Sequence, residues 1–123
     1  MNYKIWMGIP EMQELWFSLL QKNKDGTASK EDTVLFKKWS QALKHLSIDP
    51  FYSGLRTHEV SALSKRYGMK VWQSYLENKK SGAMRMFWIY GPSQGDITII
   101  GLEKHPEDKK SRGYDKVKLS KVE

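Results

Sequence analysis

The sequence predicts an α+β domain in which an N-terminal helical hairpin packs on one face of a mainly antiparallel sheet of four to five strands. Three observations carry this. Apolar residues recur with helical period in two stretches before Pro50, the pattern turns to short extended runs after it, and those runs follow closely enough to pair as sequential neighbours. At 123 residues, 39% hydrophobic and 12% aromatic, the chain is expected to form a single domain over residues 1–123 with a basic C-terminal extension from about residue 103.

Each element has its own signal. Tyr3, Ile5, Met7 and Ile9 alternate with Lys4, Trp6 and Gly8, which reads as a first strand. Pro10 then opens a helix whose Met12, Leu15, Trp16, Leu19 and Leu20 form one apolar stripe, and Asp25-Gly26 ends it. A second helix starts near Ser29, with Asp32 three residues on as an imperfect capping box. It carries Leu35, Trp39, Ala42, Leu43 and Leu46 on one face and stops at Asp49-Pro50. Extended runs follow over residues 55–60, 69–77, 84–90 and 96–102. Residues 78–82 and 91–95 have the length and composition of hairpin loops, so the last three runs are expected to pair antiparallel. In the polar tail Tyr114, Val117 and Leu119 are the features able to dock, as an edge strand.

Composition excludes several classes. There is no cysteine, which removes disulfide frameworks, thiol nucleophiles and thiolate zinc sites. The longest apolar run, residues 86–90, is far too short for a helical membrane span, and the first twenty residues lack a signal-peptide pattern, so a cytoplasmic protein with no membrane partner is expected. Lys and Arg outnumber Asp and Glu by 21 to 14. Residues 1–50 hold seven Lys against six acids and residues 51–123 fourteen Lys or Arg against eight, so the excess belongs to the second part. Charge segregated this way fits a polyanion, either nucleic acid or an acidic protein segment, and it also serves solubility.

Single residues narrow the chemistry. Gly91-Pro92-Ser93-Gln94-Gly95 matches a nucleophile elbow by letter, but an apolar strand follows it where that elbow needs a helix, so it reads as a hairpin loop. His45 reads as a surface or boundary residue of the second helix. His58 and His105 each have Lys or Arg nearby, which disfavours the charged imidazole and suits a base near neutral pH, although a lone histidine also serves simply as a surface residue. None of the three has metal-ligand spacing to another. Arg85 shares a strand face with Phe87 and Ile89, so its charge needs either an internal carboxylate or a phosphate or carboxylate from another chain. Residues 86–90 are apolar on both strand faces, while a helical hairpin covers one. The second face is therefore expected either to be open to a partner or to stacked bases, or to be covered by the tail.

The string Gly54-Leu55-Arg56-Thr57-His58-Glu59-Val60, then Lys70-Val71-Trp72-Gln73-Ser74-Tyr75, Met84-Arg85-Met86-Phe87-Trp88-Ile89, and the closing run 97–102 followed by His105 resemble the RelE/ParE superfamily of bacterial toxins from toxin–antitoxin pairs. The chain departs from that pattern in running on through Lys109, Lys110, Arg112 and Lys116, and in placing Pro106 directly after His105. The resemblance implies a helical hairpin on an antiparallel sheet and a ribosome-dependent, metal-independent endoribonuclease acting on messenger RNA, held inactive by a cognate antitoxin. It implies that Arg56 and Arg85 hold the scissile phosphate, that His105 is the acid or base, and that Tyr114 stacks or transfers a proton. His58, Lys65, Arg66, Lys70, Lys104, Lys109 and Lys110 would contact RNA, with no metal and no small-molecule cofactor. RNA supplies its own nucleophile in the 2′-hydroxyl, so a base, an acid and cations complete the chemistry. Two alternatives accompany it: a ParE-like toxin that inhibits DNA gyrase without nuclease activity, and a non-toxic binding domain.

Overall fold

A computed structural model describes residues 2–76, 84–104 and 118–122. The described chain is α+β, with three helices and a five-stranded mixed sheet. The first strand, β1 (Lys4–Met7), leads into α1 (Glu11–Asp25). Pro10 precedes α1 with φ −86° and ψ −21°, already helical, and Glu11 and Glu14 in the first turn and Lys22 and Lys24 in the last complement the helix dipole. Gly26 closes α1 by donating its N–H to the Lys22 carbonyl. Helix α2 (Lys30–Ile48) begins as its sequence indicates: the Ser29 hydroxyl accepts from the Asp32 N–H at 3.0 Å. It ends where Asp49 turns extended ahead of Pro50. The two helices interlock through Trp16, whose ring lies 5.3 Å from Phe36 and 5.1 Å, edge-on, from Trp39.

The middle of the chain departs from expectation. Of the run 55–60, only β2 (His58–Glu59) joins the sheet; Ser53–Leu55 is a 3₁₀ turn. Residues 61–67, between two of the expected extended runs, form a third helix, α3 (Ser61–Tyr67). Val60, Leu63 and Tyr67 give it a short apolar stripe, Lys65 and Arg66 occupy its last turn, and Gly68 at φ 91° closes it. Of the run 69–77 only β3 (Trp72–Tyr75) is strand. Strands β4 (Met84–Tyr90) and β5 (Asp96–Lys104) follow the predicted runs closely. The expected loop over residues 78–82, Tyr114, Val117 and the rest of the extension from 105 to 117 lie outside the described residues.

The sheet order is β1-β5-β4-β3-β2. The meander from β2 to β5 is antiparallel throughout, but β1 pairs with β5 in parallel, Lys4 opposite Asp96, which makes the sheet mixed. A register shift at Phe87/Trp88 sets Phe87 opposite Gly101 and Trp88 opposite Ile99, leaving Ile100 as the extra residue of a bulge. Trp88, Met86, Ile97 and Ile99 therefore face the helical hairpin in a first core, while Phe87, Ile89 and Ile100 face a second with Val60, Leu63 and Val71.

That second face is closed. Tyr67 of α3 and Leu119 and Val122 of the segment 118–122 pack over it, and Phe87 and Ile89 are buried. Of the two alternatives left open by the sequence, the covered face is the one found: α3, which the sequence did not reveal, and the returning tail supply the apolar surface that the hairpin cannot reach. Ser120 fastens the tail. It donates from its N–H to Ile100 and from its hydroxyl to Glu11, and accepts from the Met12 N–H and, at its carbonyl, from the Tyr67 hydroxyl, while Ile9 and Lys121 exchange backbone hydrogen bonds. Backbone hydrogen bonding, the Ser120 hydroxyl and the Lys118 and Lys121 cations hold the Glu11 carboxyl below the usual carboxylate range. A lowered folded value means this contact stabilises at neutral pH and is lost as pH falls through that value. Gly8 lets the tail approach: a Cβ there would lie 2.7 Å from the Ser120 Cβ and 2.9 Å from the Ile99 carbonyl. Gly8→Ala is expected to lower stability by about 2 kcal/mol through overpacking against backbone. A urea titration with an unchanged midpoint would show that the tail is not seated on Gly8. No described helix is long and apolar enough to cross a membrane.

Candidate functional site

Register, more than sequence proximity, assembles the polar groups. His58 lies opposite Gln73, Gln73 opposite Phe87, and Arg85 one step along β4 opposite Tyr75 and Glu103. Directly opposed residues share a sheet face, so His58, Gln73 and Arg85 stand together on the second face, beyond the edge of its apolar core.

Arg85 is only 1% exposed, with its guanidinium carbon 5.2 Å from the Phe87 ring. Its Nη1 donates to the Gln73 Oε1 at 2.9 Å. A guanidinium can only donate, so the Gln73 oxygen must face it and the amide nitrogen is turned toward His58 Nε2, 3.4 Å away. That geometry leaves Nε2 as the acceptor and puts the imidazole proton on Nδ1, which lies 3.2 Å from the Arg56 carbonyl. The row thus connects an exposed imidazole to a buried cation two strands away and sets which of its ring nitrogens faces Gln73.

Arg56 caps the 3₁₀ turn in the left-handed region, φ 51°, with its side chain exposed and its carbonyl facing His58. On the other side of β2, Thr57 donates to the Pro50 carbonyl, so the 2.6 Å contact between its hydroxyl and Ser74 must be donated by Ser74. Ser74 in turn accepts from Trp88 Nε1 at 2.9 Å. Glu59 accepts from the Ser64 hydroxyl, which ties β2 to α3. These contacts fix the short edge strand that presents Arg56 and His58.

The structure brings three of the expected site residues together, Arg56, His58 and Arg85. Two of them, Arg56 and His58, are exposed. Arg85, expected to meet a carboxylate or a phosphate, bonds the Gln73 amide beneath the surface, because register sets Gln73 within its reach. Lys65, Arg66 and Lys70 are exposed at the end of α3 and just beyond it, where Arg66 and Lys121 flank an open depression of about 600 Å³ floored by Tyr67 and Leu119. Of these, Arg66 borders the tail. Lys104 closes β5 opposite Met84. His105, Lys109, Lys110 and Tyr114 lie outside the described residues. Among the described residues no three His, Asp or Glu side chains gather as metal ligands.

Sequence reading missed Gln73, and nothing in its local pattern marks it; its meaning comes from its two cross-strand neighbours. The arrangement offers a proton acceptor at Nε2 of His58 once the Gln73 amide yields, with the exposed Arg56 two residues before it in the chain. No family model, curated protein or solved structure matches this chain.

Proposed function

We propose that this chain is the toxin component of a toxin–antitoxin pair, a RelE/ParE-like domain that cuts messenger RNA in the ribosome and is held inactive by a cognate antitoxin. The observation that carries the reading is the exposed Arg56–His58 pair, with the imidazole connected through Gln73 to the buried Arg85. The order of elements supports it as well: a strand, a helical hairpin and an antiparallel meander agree with the resemblance in the sequence. So does the excess of positive charge after residue 50.

In the proposed reaction His58 Nε2 takes the proton of the 2′-hydroxyl as that oxygen attacks phosphorus. Arg56 stabilises the charge developing on the phosphoryl oxygens, and the 5′-oxygen leaves with a proton from an acid, the role that the resemblance gives to His105 or Tyr114. Arg85 positions this machinery without touching RNA. The test is to incubate purified protein with translating ribosomes and map the cut messenger. His58→Gln is expected to lower the cleavage rate about 100-fold, with Arg56→Ala also impaired. No cleavage by the parent protein, or equal cleavage by both variants, would sink the proposal.

The burial of Arg85 favours a second reading, in which the domain inhibits a protein such as DNA gyrase or only binds a partner. Growth arrest that persists in the Arg56→Ala, His58→Gln double variant would select the gyrase-type toxin; harmless overexpression without an antitoxin would select the binding domain.

A further inference from the structure

We propose that a cleft on the helix side of the sheet edge receives a single nucleobase of the bound RNA. The inference rests on the RNA reading above and adds a base-binding site to it.

The cleft, about 180 Å³, opens between α2, the 3₁₀ turn and the end of β3, and Gln41, Ala42, His45, Tyr52, Leu55 and Leu76 line it. Its volume is below that of pockets for drug-sized ligands, so it suits one ring system. Ala42 and Leu55 are buried and, with Leu76, provide apolar walls that suit the flat faces of a base. At the rim, the Gln41 amide offers both a donor and an acceptor, the complement of a base edge. Among the described residues neither that amide nor the His45 imidazole has a hydrogen-bond partner.

The aromatic wall is built rather than incidental. The Tyr52 ring stacks on His45 with centroids 4.3 Å apart and planes 2° from parallel. The ring also abuts Gly54, where a Cβ would come within 2.7 Å of its Cε2, so this close approach needs a glycine. Tyr52 nevertheless stays 44% exposed and available for stacking. Chain continuity links the cleft to the catalytic pair, since Arg56 follows Gly54 by two residues and is exposed. A nucleotide seated here has an aromatic and amide site for its base and a guanidinium close by in the chain for its phosphate.

The test is an NMR titration of the full chain with the four nucleoside 5′-monophosphates, ribose 5-phosphate, and the amides of arginine and leucine. At least one nucleotide is expected to shift the His45 and Tyr52 ring signals saturably, with ribose 5-phosphate leaving them in place. Gln41→Ala, on an exposed helical face, is expected to weaken that nucleotide about 3- to 10-fold, the worth of one neutral hydrogen bond. Equal response to ribose 5-phosphate would reduce the site to a phosphate contact and overturn the base pocket. Ring shifts with an amino-acid amide instead would make it a socket for a partner's side chain, and no response to any probe would also overturn it. Nucleotide binding without ribosomal cleavage would sink the nuclease reading alone, whereas cleavage without nucleotide response would sink this inference alone.

Discussion

Replacing Trp88 with alanine is expected to lower the unfolding free energy by about 4 kcal/mol, the range for deleting a large buried aromatic. The residue is fully buried at the centre of the first core, 5.9 Å from Trp72 in a near-parallel stack and 5.0 Å edge-on from Tyr90. Packing accounts for most of this figure. The Nε1 bond to Ser74 adds a separable part, so Trp88→Phe, which keeps a ring and loses the bond, is expected to cost about 1–2 kcal/mol. Urea unfolding followed by circular dichroism at constant slope reads both. A loss below about 1 kcal/mol for the alanine variant would mean that the hairpin and sheet do not share this core.

Arg85→Ala is expected to cost about 3 kcal/mol, because it opens a cavity beside Phe87 and strips the Gln73 oxygen of its charged donor within a buried setting. An exposed phosphate clamp behaves differently: Arg56→Ala, at the surface, is expected to stay within about 0.5 kcal/mol of the parent. The pair of measurements therefore separates a positioning cation from a contacting one. Arg85→Ala should also disturb His58, since Gln73 no longer has a fixed orientation. Nitrogen chemical shifts of the imidazole are expected to move from the Nδ1–H form toward a mixture of tautomers. Full stability in Arg85→Ala, or an unchanged His58 tautomer, would break the proposed chain of bonds.

The two helices of the hairpin were legible because each carries more than three turns of apolar periodicity and a chemical stop, and Ser29 caps α2 as its spacing indicates. Strands β4 and β5 were legible for a similar reason, being long, apolar and joined by a short turn. Residues 55–75 were not. A two-residue strand and a seven-residue helix are shorter than the window over which a period can be measured, and between Leu55 and Val60 stand four polar residues, of which Arg56 adopts a left-handed turn. The parallel pairing of β1 with β5 joins residues some ninety positions apart, and no local pattern encodes it. Within the site, parity marked Arg85 as a charge on an apolar face, but its partner lies on another strand, so only the register reveals Gln73.

Alternation along β5 ties the two cores together. Ile99 and Ile100, adjacent along the backbone, point into opposite cores, so neither layer can loosen without tugging on the same few peptide units. Amide protons around these two residues should exchange with solvent at the rate of global opening, and the domain should melt as one cooperative unit despite having two separate apolar layers.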